Sequence, residues 1–299
     1  MTEQTTTDAV EFSEMLPSVN PYARFLKVFF GRKVVTFGFI IIVGLLFSAL
    51  FAPQLAPYDP YETDLDKTLL KPNWEHLLGT DALGRDTLSR IIYGTRTSLM
   101  VGFIAIAIAS SVGMTLGLLA GYFGGLVNMV IMRLIDALMA FPIILKALII
   151  SALLGGGLKN VMIALGVGLI SVYARLMCGQ VLSVRENDYV MAGQVIGASN
   201  LRVMLRHVLP NCFPPLIVML TLNMGAAILA EAGLSFLGIG IEAPGAAWGS
   251  MVADGYQYLL THPVLSFAPG FAIMLVVLAF NLVGDGLRDA LDPRLRGMI

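Results

Sequence analysis

The chain alternates long uncharged runs with short charged ones, and the lengths of the runs predict its elements. Val34 to Ala52 is a run of nineteen residues without a charge, preceded by Arg24, Lys27, Arg32 and Lys33 and stopped by Pro53. About twenty apolar residues cross a bilayer as a helix, so this run predicts one span. Thr97 to Met132 carries no charge over 36 residues, too many for one crossing, and GYFGG at 121–125 supplies a turn that divides it. A second span is expected to end near Ala120. A third is expected from Asn128 to Leu154, with Arg133 and Asp136 near its start and Lys146 inside it. After GGGLKN, a fourth is expected from Val161 to Leu182, a fifth from Cys212 to Ala230, and a sixth from Leu265 to Gly284. The fold class is all-α: a polytopic membrane protein of six transmembrane helices with both ends on one side.

One polar stretch interrupts this pattern, DYVMAGQVIGASNLRVMLRHVLPN at 188–211. Leu201, Met204, Leu205, Val208 and Leu209 recur at helical spacing, while Asn200, Arg202, Arg206 and His207 lie mainly off that stripe. This predicts an amphipathic helix ending at Pro210. Tyr189, Ala192 and Ile196 form a shorter stripe before it. Residues 197–200 read as a helix stop and restart with Ser199 or Asn200 able to cap, so two short helices are expected to meet at Gly197. Taken alone, the pattern describes an interfacial hairpin lying on the headgroups.

Composition agrees with the bilayer reading. Of 299 residues 57% are hydrophobic and 13% charged, against about a quarter charged in soluble domains. A formal net charge of -1 offers no basic excess for nucleic acid. Basic residues cluster in the N-terminal flank, at Arg175, Arg185, Arg202 and Arg206, and at Arg288, Arg294 and Arg296. Short cytoplasmic flanks accumulate Lys and Arg, which places these regions and both termini in the cytosol. The first twenty residues hold Glu3, Asp8, Glu11 and Glu14 but no basic residue, unlike a secretory signal. Cys178 and Cys212, on the cytosolic side, are expected to be free thiols. The expected divisions are a cytoplasmic segment 1–33, a first span with its extracytoplasmic loop 34–96, a core of five spans 97–284 with the polar loop at about 183–211, and a cytoplasmic tail 285–299.

Catalytic chemistry finds little support. GTDALGRD at 79–86 imitates the glycine spacing of a phosphate loop, but Arg85 and Asp86 replace the Lys and the magnesium-binding hydroxyl. A turn leading into a helix is the better reading. His76, His207 and His262 are scattered without metal-ligand spacing, and no serine sits in a nucleophile elbow.

The polar stretch resembles the cytoplasmic loop of permease subunits of bacterial ABC importers, whose pattern is Glu-Ala-Ala, three residues, Gly, nine residues, Ile-x-Leu-Pro. Met191, Ala192 and Gly193 take the first three positions, Gly197 the Gly, His207 the Ile, and Leu209 and Pro210 the Leu-Pro, without gaps. Met191 in place of Glu removes a carboxylate. LGTDALGRDTLSRIIYGTRTSL at 78–99, RLIDALMAFP at 133–142, EAGLSFLGIGIEAP at 231–244 and FNLVGDGLRDALDPRLRG in the tail are similar to the C-type permeases of the dipeptide, oligopeptide and nickel branch. The resemblance implies the type I ABC importer permease fold and a place in a bacterial inner membrane. It implies a homologous second permease, two ATP-binding cassette ATPases carrying ATP and magnesium, and an extracytoplasmic solute-binding protein as partners, with no cofactor and no catalysis in this chain. Peptides are the implied cargo, with nickel chelates, glutathione or another small solute as alternatives. In this reading the loop is a rigid knob for the ATPase. Tyr189, Ala192 and Ile196 dock, Ala192, Gly193 and Gly197 permit close approach, and Pro210 fixes where the fifth span begins.

Two charges stand out. Lys146, eight residues from the end of the third span, is about 12 Å from it at 1.5 Å per residue, beyond easy snorkelling, so it is expected in the translocation path, attracting an anionic group of cargo, or else at the outer headgroups if the helix tilts or ends early at Gly155. Glu231, just after the fifth span, is expected either to hold an outer gate through backbone donors of the Gly-rich segment or the sister permease, or to be a solvated helix end. An ion-coupled secondary transporter is the alternative of another class, with Asp136 and Glu231 as its candidate carboxylates.

Overall fold

A computed structural model describes residues 21–241 and 244–291. The acidic leader and the tail residues Arg294 and Arg296 lie outside the described residues. Helices α1 (Pro21–Phe29), α2 (Lys33–Leu50) and the single turn α3 (Ala52–Leu55) lead into an irregular segment, and α4 (Thr87–Phe123) follows. Next come α5 (Gly125–Met139), α6 (Ile143–Leu154), α7 (Gly157–Val184), α8 (Asp188–Val195) and α9 (Asn200–Val203). A wide π-type turn (Met204–Val208) joins α9 to α10 (Leu209–Phe236), before α11 (Trp248–Tyr256) and α12 (Val264–Leu291). No residue of the described regions lies in a named strand. Five helical stretches, Lys33–Leu50, Thr87–Phe123, Gly157–Val184, Asn200–Phe236 and Val264–Leu291, are long and apolar enough to cross a membrane, and α5 with α6 makes a sixth when counted as one broken span.

Three elements depart from expectation. The second span begins ten residues early, at Thr87, because Asp86 caps it by accepting the Ser89 backbone N–H at 2.7 Å. At 37 residues α4 is about 55 Å long, so its polar first turns project beyond an apolar slab of about 30 Å. The third span is not one helix, since α5 and α6 meet at 90°. Pro142 has no N–H to continue the α5 ladder and starts a new helix as its N-cap. Pro210, finally, does not end the amphipathic helix, which runs on from Asn200 to Phe236. The π-type turn ahead of it resets the ladder, so Pro210 falls in the first turn of α10, where a missing N–H is harmless.

The core of the bundle is the pairing of α4 with α7. Gly113, Gly117 and Gly121 form a stripe along α4 on which α7 rests; small residues at this spacing let two membrane helices approach closely. Leu99, Ile106, Ala109, Leu169, Tyr173, Met224, Ile228 and Trp248 fill the space among α4, α7, α10 and α11. Helix α2 is peripheral and lies against α12, where Gly38 and Gly286 allow close contact. Arg32 pairs with Asp289 at 2.7 Å, which brings the start of α2 and the end of α12 to one side of the bundle.

The segment before α4 forms a cap at one end of that helix. Gly79 and Gly84 have positive φ, and a Cβ on either would fall 2.3 Å from Leu70 O or 1.8 Å from Asp64 O. Their spacing serves this close approach, not a phosphate. Asp81 Oδ1 accepts from the backbone N–H of Leu83 and Arg85, filling the turn with its own carboxylate. Arg90 donates to Pro60 O at 3.1 Å, and to Pro244 O and Gly245 O at 3.4 Å, tying the cap to the α10–α11 connection.

Candidate functional site

At the other end of α4 the polar loop is built as a separate small unit. Helix α8 ends at Val195 with Ile196 as its C-cap, and Gly197, with φ +82, turns the chain so that Gly197 N–H reaches Gln194 O and Ala198 N–H reaches Gly193 O. That left-handed residue after a helix is the position where glycine carries no Cβ penalty. Ser199 then occupies the N-cap position of α9, without a side-chain cap. The two short helices thus meet at Gly197, as expected.

The predicted stripe divides between two surfaces. Met204 and Val208 turn inward with Val190, Val203, Cys212 and Leu216, and pack on Leu118, Met177 and Val181 of α4 and α7. Leu209 packs partly against this cluster. Leu201 and Leu205 face outward instead, joining Tyr189, Met191, Ala192, Val195 and Ile196; Val195 and Ile196 are 86% and 83% exposed. The sequence reading missed Met191, Val195, Leu201 and Leu205 as part of this face. Gly193 is buried, and a Cβ there would lie 3.8 Å from the His207 ring, so it closes the joint from inside. His207 is half-buried and Pro210 exposed. The unit is clamped to the bundle by Tyr122 Oη donating to Asn200 Oδ1 at 3.1 Å and by Arg185 Nη1 donating to Gly121 O at 3.0 Å. The exposed apolar residues thus stand on a hairpin braced against the bundle.

The charges at membrane depth are placed differently. Lys146 is 8% exposed and makes no ion pair or hydrogen bond through its side chain among the described residues. The depth estimated along one straight span does not apply, because α6 leaves the axis of α5 at 90°. Glu231 lies inside α10, not beyond it, and is 0% exposed, which removes the solvated helix end. Its Oε1 accepts from Ser235 Oγ at 2.7 Å, while Oε2 has no partner among the described residues. The Gly-rich segment does close over this point, since a Cβ on Gly240 would fall 1.9 Å from Ser235 Oγ, but no backbone donor of it reaches Glu231 among the described residues. Arg175 of α7 donates to Asp136 of α5 and to Met139 Sδ, with the two charged side chains 49% and 46% exposed. Cys178 and Cys212 are free and buried. Among the described residues no three His, Cys, Asp or Glu side chains gather as metal ligands.

The model of the family described as binding-protein-dependent transport system inner membrane component matches residues 113–297. The chain belongs to that family. The N-terminal transmembrane domain of oligopeptide transport permease C matches residues 20–72. Relatives include a dipeptide transport system permease protein DppC of Alkalihalophilus pseudofirmus, 44% identical with 93% of this chain and 92% of that protein covered. A di/tripeptide transport system permease protein DppC of Pseudomonas aeruginosa is 44% identical over 93% of each chain. A glutathione transport system permease protein GsiD of Pectobacterium atrosepticum is 39% identical over 92% of each. A chain of the MetNI methionine ABC transporter, in an inward-facing conformation, superposes with a TM-score of 0.55 at 17% identity, covering 68% of this chain and 96% of that one. That likeness speaks for the fold alone. The family expected from the motifs, and the helical type I permease fold, are therefore confirmed: this is a multi-pass transport permease subunit.

Proposed function

We propose that the chain forms half of the translocation path of an ABC importer for di- or oligopeptides. It works with a homologous second permease, two ATPases that bind ATP and magnesium, and an extracytoplasmic solute-binding protein, in a bacterial inner membrane with both termini in the cytosol. The observation that carries this reading is the exposed apolar face of Tyr189, Ala192, Val195 and Ile196, braced on α4 and hinged at Gly197. A permease without a nucleotide site needs such a face to receive motion from an ATPase. The names of the 44% identical relatives support peptides as cargo. The glutathione permease at 39% keeps a small tripeptide-like solute as the second reading. Lys146 is assigned to attract an anionic group of cargo, and Glu231 to hold the outer gate through Ser235.

An ion-coupled carrier is not favoured, since the chain belongs to the binding-protein-dependent transport family and its 44% identical relatives are named dipeptide and di/tripeptide transport permeases. The test is uptake of a radiolabelled dipeptide into vesicles carrying the complete importer. Uptake that requires internal ATP and added binding protein, and that survives collapse of ion gradients, is expected. Uptake driven by a proton or sodium gradient without ATP would overturn the reading.

A further inference from the structure

The ion pair Arg175–Asp136 lies where a bilayer tolerates charge poorly. Helix α7 has 28 residues, about 42 Å, so an apolar slab of about 30 Å leaves only about 6 Å beyond each end. With the slab centred on α7, Arg175, nine residues before Val184 and about 13 Å along the axis, lies about 7 Å inside the cytosolic edge, and not in the cytosolic flank that its charge suggested. Asp136, eleven residues after Gly125, reaches a similar depth from the same side, because Asn128 Nδ2 lies 3.3 Å from Cys178 Sγ and holds α5 beside α7. Both side chains are nevertheless about half exposed.

The break between α5 and α6 lies at the same level. Residues 140–142 interrupt the helix there, and Ala140, Phe141 and Pro142 are exposed. Non-helical backbone at membrane depth is tolerated only inside protein or along a water-filled cavity, and half-exposed charges at that depth obey the same constraint. Lipid is thereby excluded as the neighbour. An interface with the sister permease would have to bury a solvated ion pair, which costs several kcal/mol per ion before any recovery.

From this coincidence we infer that Arg175 and Asp136 line the aqueous translocation path at the bend, and that cargo passes by exchanging their mutual contact for its own charged termini. The peptide carboxylate meets the Arg175 guanidinium and the peptide ammonium meets the Asp136 carboxylate. A guanidinium matches a carboxylate in shape as well as charge. A peptide with both termini free can satisfy both charges together, so the pair opens without stranding either. This inference rests on the peptide reading above for the identity of the cargo, but the placement of the pair stands on geometry alone.

Two measurements separate these parts. In the assembled importer without nucleotide or binding protein, Asp136→Cys and Arg175→Cys are expected to react with a small, charged, membrane-impermeant thiosulfonate nearly as fast as Glu75→Cys on the exposed cap. The parent, with Cys178 and Cys212, sets the background. Reaction no faster than at Leu153→Cys, on an 82% exposed apolar position, or reaction only in the chain separated from its sister, would overturn the placement. In the second measurement the doubly neutral Asp136→Asn/Arg175→Gln importer is assayed for ATP-driven uptake of a dipeptide and of its C-terminal amide. Each rate is divided by the parent's rate for the same compound, which cancels the preference of the binding protein. A fall at least fivefold greater for the free dipeptide is expected, and equal falls would overturn the role in cargo passage. If the parent itself takes up neither compound while the cysteines still label, the peptide reading has failed and the placement has not.

Discussion

A Cβ placed on Gly117 would fall 2.4 Å from the carbonyl oxygen of Ala174, closer than any two such atoms can come. Gly113 stands 2.6 Å from Ile170 O by the same construction, and Gly121 2.7 Å from Val181 Cβ, so α4 and α7 are in backbone contact along two turns. None of these three neighbours is the tip of a flexible side chain. Gly117→Ala must therefore push the helices apart, an overpacking that costs about 1–3 kcal/mol or more. The purified importer is expected to melt several degrees lower with this substitution. Gly44→Ala, where a Cβ meets nothing within 4 Å, is expected to leave the melting temperature unchanged.

Such contacts mark what could and could not be read from residue order. Most of the spans and the turn at Gly197 were legible because apolar run length and a lone helix-stop signal depend on local physics. The start of α4 at Thr87 was hidden by Arg90 and Arg96, which look like a flank yet sit on a helix that projects past the slab. The 90° break after α5 was announced by Pro142, but a proline inside an apolar run reads equally as a mild kink. Continuation through Pro210 depended on a π-type turn that no residue type encodes. Which loop residues face out was not legible either. Leu205 and Val208 share one sequence stripe, and only the packing of Val208 against Leu118 and Met177 decides between them.

Asp86 joins two buried groups of the cap. One oxygen lies 3.0 Å from His76 Nδ1, and the other accepts from the Ser89 N–H and Oγ at 2.7 Å each. Asp86→Ala removes the N-cap of α4, worth about 1 kcal/mol, and strands buried donors at about 1–3 kcal/mol each. Thermal unfolding is expected to show a large loss for Asp86→Ala and a smaller one for Asp86→Asn, whose amide oxygen still accepts from Ser89. Equal stability of all three proteins would mean that water replaces the carboxylate.

Gly197 tests the lever. Its φ of +82 is strained for a β-branched residue, whereas a Cβ there meets no atom within 4 Å, so backbone conformation and not space is at stake. Gly197→Val is expected to leave assembly intact but to lower uptake per ATP hydrolysed by tenfold or more. Gly197→Asn, which tolerates the left-handed region, is expected to restore most of it. Normal coupling in the Val variant would remove the hinge from the mechanism.

Glu231 is fully buried with one oxygen on Ser235 and the other without a partner among the described residues. In Glu231→Gln an amide oxygen still accepts from Ser235 while the cost of burying a formal charge disappears. Stability at or above that of the parent is expected, with uptake several-fold lower. Unchanged uptake would assign the residue to packing of α10 against the 237–241 segment and not to a gate.

Lys146 carries the opposite charge and even fewer contacts. An ammonium that is 8% exposed, with no ion pair among the described residues, destabilises the chain, because its lost hydration is not repaid by a partner. Lys146→Leu removes that cost and fits the apolar surroundings of Ala147, so the variant is expected to melt above the parent. If the charge is held against this cost in order to meet cargo, the same variant loses transport selectively. Uptake of a peptide with a free carboxylate should then fall more than uptake of its amide, each measured against the parent. An equal fall for both compounds, or none for either, would leave the lysine outside the path even with the stability gain observed. A fall in stability would instead reveal a partner for the ammonium in the assembled importer, and the acid that supplies it would be the next residue to replace.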